Sequence, residues 1–72
     1  MDARITGSFI AEKRKERNLS QRELAKYLHI TDKAISKWER GLSFPDITIL
    51  IPLSEVLNVS LYDLLTGGNN NE

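Results

Sequence analysis

Five polar side chains, Asp32, Lys33, Ser36, Lys37 and Arg40, recur at the three- and four-residue spacing of one helix face. Lys33 and Lys37 can donate to O6 and N7 of guanine, and Ser36 can either donate or accept. Arg40 can donate to a phosphate. Asp32 has two readings: it can accept from N4 of cytosine, or it simply favours the positive end of a helix. This is the chemistry of hydrogen-bonded recognition in a duplex groove. For bond-making chemistry the chain offers one histidine, no cysteine, no glycine-rich phosphate loop and no paired carboxylates, so no enzymatic activity is expected. His29 stands alone and does not suggest a metal site. No cofactor and no small-molecule ligand is evident.

The elements that would carry these residues are punctuated by caps and stops. Residues 7–17 are rich in helix formers, with Phe9 and Ile10 as apolar anchors. Ser20-Gln21-Arg22-Glu23 has the pattern of a capping box and predicts a helix over 21–28. Its N-terminus, with Ser20 beside free amides, suits an anion. Thr31 predicts a cap for a helix over 32–40, closed by Gly41. Residues 46–57 predict a fourth helix, with Ile47, Leu50, Leu53 and Leu57 at helical spacing, and Ser60 opens a fifth over 61–65. The expected fold is therefore all-α with five helices in one domain, 1–68, followed by a disordered tail, 69–72. Pro52 falls inside the fourth helix, which should bend there or be irregular before it.

Only His29-Ile30-Thr31 separates the second and third helices, so they must cross steeply. Leu24, Ala25 and Leu28 would then face Ile35 and Trp38, with Ile30 beneath both. Trp38 is read as core on this spacing, not as a base-stacking platform. At this point the stretch LSQRELAKYLHITDKAISKWERG resembles the core of the lambda-repressor-like (Cro/repressor, XRE) helix-turn-helix family, and FPDITILIPLSEVLNVSLYDLL resembles its fourth and fifth helices. The resemblance implies sequence-specific binding of double-stranded DNA, usually as a homodimer on a palindrome, by a bacterial or phage-type transcription regulator.

It also implies that Gln21 binds phosphate and braces the recognition helix, and that Arg14 partners Glu39. The residues themselves ask for such a partner, because Glu39 falls near the inward face of its helix and a buried carboxylate needs one. Lys33 and Lys37 are the expected base contacts, with Ser36 and Asp32 as further candidates. Ser20, Gln21, Arg22, Arg40, Ser43 and Phe44 are the expected phosphate contacts, the last two largely through backbone amides. Asn18, His29 and Asn58 stand where the family often has glycine, and all three types tolerate the left-handed conformation.

The formal net charge is zero, but its distribution is uneven: all ten Lys and Arg lie in residues 1–41 with six acids, while residues 42–72 carry four acids and no base. Such asymmetry points to one cationic face. No apolar run approaches the roughly 20 residues needed to span a bilayer, and the N-terminus does not read as a signal peptide. A cytoplasmic regulator, most simply a repressor, is expected. The alternatives are a protein-interaction module or an antitoxin on the same fold. Ile49, Pro52 and Val56, with Ile51 and Tyr62, would form an exposed apolar patch suited to a homodimer contact. The end at GGNNNE resembles a domain edge, beyond which a sensor domain could follow.

Overall fold

Each helix begins where a side-chain oxygen satisfies amides that have no partner within the helix. In the computed structural model, which describes residues 2–68, Asp2 accepts from the Arg4 amide and opens α1 (Ala3–Glu16). Ser20 accepts from the amide of Glu23, whose carboxylate accepts in return from the Ser20 amide, and this reciprocal cap opens α2 (Gln21–Leu28). Thr31 opens α3 (Asp32–Glu39), Asp46 opens α4 (Ile47–Leu57) and Ser60 opens α5 (Leu61–Thr66). The stops are equally local. Asn18, His29 and Asn58 adopt positive φ, as does Gly41 just past α3. There is no strand among the described residues.

The first helix starts four residues earlier than the sequence reading placed it. Thr6 and Gly7 are poor helix formers, yet both are buried within α1. The Thr6 hydroxyl donates to the Leu64 carbonyl at 3.0 Å, tying α1 to α5. Gly7 lies against the end of α3, where any added Cβ would overlap the Trp38 carbonyl oxygen. Tertiary packing thus overrides local preference at both positions. The other differences are single residues at helix ends: α3 stops at Glu39, Asp46 is the cap of α4 and not its first residue, and α5 runs one residue further to Thr66. The tail expected at 69–72 lies outside the described residues.

One core unites all five helices, from Phe9 and Ile10 through Leu24, Ile35, Trp38 and Leu53 to Leu64. Leu24, Ala25 and Leu28 share it with Ile35 and Trp38, and Ile30 packs against it from the turn. Pro52 does not interrupt α4, which stays helical through Leu57. Two expectations for α4 are corrected. Ile47 is no core residue and is 76% exposed; as the first residue of the helix, its side chain leans past the helix end, where no neighbour waits. Ile49, Pro52 and Val56, expected on an exposed patch, are all half-buried, Ile49 and Val56 against the core, because α4 packs on α1, α2 and α5 at once. Ile51 and Tyr62 do remain exposed.

Candidate nucleic-acid interface

The third helix has two unlike sides. Ile35 and Trp38 are buried, while Asp32, Lys33, Lys37 and Arg40 are exposed and Ser36 is half-buried. Among the described residues neither Lys33 nor Lys37 has an ion-pair or hydrogen-bond partner in its side chain. Two strongly hydrated ammonium groups therefore stand one turn apart on a helix whose other side is anchored in the core. Arg40 folds back along the helix, its Nε donating to the Ser36 carbonyl at 3.3 Å and to the Ser36 hydroxyl at 3.2 Å. Asp32 lies in the first turn, where its charge complements the helix dipole.

The C-terminal end of α3 is held by a polar cluster. Arg14 Nε donates to Glu39 Oε2 at 2.7 Å and its Nη2 donates to Oε1 at 3.0 Å, a two-pronged pairing, while Nη1 donates to the Leu19 carbonyl at 2.8 Å. Gln21 adds a fourth bond, from Nε2 to Glu39 Oε1 at 2.8 Å. The pKa of the Arg14 guanidinium is raised above its ordinary value first by the bonds it donates to Glu39, against the opposing effect of burial. Glu39 thus links the end of α1, the start of α2 and the end of α3. Gln21 reaches α3 through its amide nitrogen, which leaves its backbone N–H at the exposed N-terminus of α2.

Beyond α3 the chain turns at Gly41, with φ +76°, and the Gly41 and Leu42 amides return to the Trp38 and Lys37 carbonyls. The next two amides, of Ser43 and Phe44, make no hydrogen bond among the described residues. Both residues are exposed. Ser20 and Arg22 are exposed at the start of α2, with the Ser20 hydroxyl engaged as the helix cap. Asp46, at the far end of the loop, accepts from the Thr48 amide and hydroxyl, each at 2.8 Å. Those bonds hold its carboxyl below the usual carboxylate range.

Two residues that set this geometry do not stand out as functional in the sequence. Gly7 allows α1 to approach the end of α3, and a glycine inside an otherwise helical stretch was the available signal. Arg4 lies across Gly41: a Cβ built on that glycine would sit 2.5 Å from Arg4 Cγ and 3.0 Å from Arg4 Cα. Nothing local in the sequence marks that contact. Among the described residues no group of three or more His, Asp or Glu side chains is arranged to hold a metal, and no helix is long and apolar enough to cross a membrane.

A family model described as helix-turn-helix matches residues 10–64. The chain is 39% identical over 66 residues to the HTH-type transcriptional regulator DicA of Escherichia coli, covering 92% of this chain and 49% of DicA. It is 39% identical over 51 residues to the HTH-type transcriptional activator BcrR of Enterococcus faecalis, covering 71% of this chain and 25% of BcrR. The chain therefore spans half or less of the length of these relatives. Among solved structures, the P22 c2 repressor in complex with a synthetic operator superimposes with a TM-score of 0.83 at 35% identity, over 86% of this chain and 94% of that one.

Proposed function

This chain belongs to the helix-turn-helix family of lambda-repressor-like transcription regulators, and on that premise we propose that it binds double-stranded DNA sequence-specifically by inserting α3 into the major groove. The observation that carries the reading is the division of α3: Ile35 and Trp38 anchor it, and Lys33 and Lys37 project unpaired from its opposite side. Lys33 and Lys37 read guanine edges, with Ser36 and Asp32 beside them. Phosphates on either side are held by the N-terminus of α2 (Ser20, Gln21, Arg22) and by Arg40 with the amides of Ser43 and Phe44. Gln21 does both jobs, bracing Glu39 through its side chain and offering its backbone amide.

The active species is a homodimer on a palindromic site, with half-sites about 34 Å apart. Ile47 and Ile51, one turn apart on α4, and Tyr62 on α5 are exposed and supply apolar area for the two-fold contact. Regulation is by occupancy of the operator, which makes repression the simplest mode because it requires only binding. A duplex-binding protein loses affinity steeply with salt, whereas a protein-interaction module with no net charge would not.

Selection of bound sequences from a random duplex pool tests the reading directly. The expected result is a two-fold symmetric site. Lys37→Ala should relax the preference at one base pair per half-site by about 1–3 kcal/mol. Uniform weakening over all sequences would make Lys37 a backbone contact, and an unenriched pool would refute duplex recognition.

A further inference from the structure

Arg4 is the only basic residue in the first half of α1. It is exposed, and its guanidinium makes no hydrogen bond or ion pair among the described residues, unlike Arg14 on the same helix. Its stem lies on Gly41, so close that any side chain at 41 would displace it. Two residues further along the chain come the unpartnered amides of Ser43 and Phe44. The seat on Gly41 thus brings Arg4 to the start of the same loop.

From this we infer that Arg4, seated on Gly41, joins the Ser43 and Phe44 amides in clamping one backbone phosphate beside the recognition helix. The inference rests on the duplex-binding reading above and adds to it a residue from outside the helix-turn-helix. Each partner supplies what the other lacks. Two neutral amides fix direction but carry only partial charge, while the guanidinium brings a full charge and paired donors that match a phosphate. Laying the stem on a glycine surface restricts it before DNA arrives, which lowers the ordering cost of binding. The nearest acid in sequence, Asp2, is engaged by the Arg4 backbone amide as the helix cap. Gly41 then has two tasks: it adopts the left-handed turn, and it leaves room for the arginine stem.

The test is the salt dependence of binding, by fluorescence anisotropy on the duplex selected from the random pool. Each phosphate contact contributes about 0.9 to the slope of log affinity against log salt. Arg4→Ala and Arg4→Gln should each lower that slope by about 0.9, and Arg4→Lys should restore it with weaker affinity. Arg17→Ala is the charge-matched control. Arg17 is exposed at the other end of α1, about 20 Å away at 1.5 Å per residue, and its removal should leave the slope near wild type. A wild-type slope in Arg4→Gln overturns the clamp whatever Arg4→Ala does. Equal losses in the Arg4 and Arg17 variants also overturn it, because they indicate the general field of the protein and no local contact. Absence of salt-dependent duplex binding by the unaltered chain is a different failure: it removes the duplex-binding reading itself, and the clamp with it.

Discussion

Glu39 accepts three hydrogen bonds from two residues on two other elements, so this single carboxylate fixes the end of the recognition helix. Removing one partner of a buried pair leaves an uncompensated charge and typically costs about 3–5 kcal/mol. Arg14→Ala and Glu39→Ala should therefore lower thermal stability first and DNA affinity as a consequence, with affinity recovering at temperatures where the variant is folded. Wild-type melts with lost binding would instead place Arg14 on the DNA. Asp46 offers a separate check at acid pH. Its carboxyl is held below the usual range by the Thr48 amide and hydroxyl, so the ionised form favours the folded state. That contribution is present above the ordinary carboxylate range and is lost as pH falls through the depressed value. Asparagine caps helices without titrating, so the stability gap between the wild type and Asp46→Asn should narrow as the solution is acidified. A gap that stays constant in acid melts would show that the Asp46 charge is irrelevant to the cap.

At the scale of elements, the decisive contact is the approach of α1 to α3. It positions Arg14 against Glu39 and Arg4 against Gly41, and it depends on Gly7 having no side chain. The obstacle to a Cβ at Gly7 is backbone, the Trp38 carbonyl, which cannot swing aside as a flexible side chain would. Gly7→Ala gains helix propensity, worth up to about 1 kcal/mol, but must separate the two helices. Overpacking of this kind costs about 1–3 kcal/mol. The net effect should be destabilising, with weaker DNA binding because the end of α3 is displaced. A Gly7→Ala protein melting above the wild type would show that the helices separate freely and that their close approach is not what positions α3.

The whole molecule has little stability to spare. At roughly 0.05–0.15 kcal/mol per residue, a chain of this length is stable by about 4–11 kcal/mol, so loss of the Arg14–Glu39 pair alone could consume much of it. Association also belongs to this scale. Ile51 is exposed on α4 and makes no part of the core, so Ile51→Asp should leave the monomer folded while weakening self-association and steepening the concentration dependence of operator binding. Sedimentation equilibrium distinguishes the cases: an unchanged dimer in Ile51→Asp would move the two-fold contact elsewhere on the surface. The charge division works in the same direction. With no basic residue after position 41, α4 and α5 carry little attraction for phosphate, which suits them to the proposed two-fold contact.

Most of the helical order was legible because its signals are local. The Ser20–Glu23 capping box, the Thr31 and Ser60 caps, and left-handed stops at Asn18, His29 and Asn58 each involve residues within one turn of one another. Helical spacing likewise set the inward and outward sides of α3, since Ile35 and Trp38 must share a face on any α-helix. What escaped the sequence depended on partners distant along the chain. The first residues of α1, 3–6, were missed in part because Thr6 becomes a good helical residue only against Leu64. The covering of Ile49 and Val56, the exposure of Ile47 and the seating of Arg4 on Gly41 follow from which helices meet. Spacing along one helix determines which side chains share a face, but only the packing of the other helices decides which faces are covered.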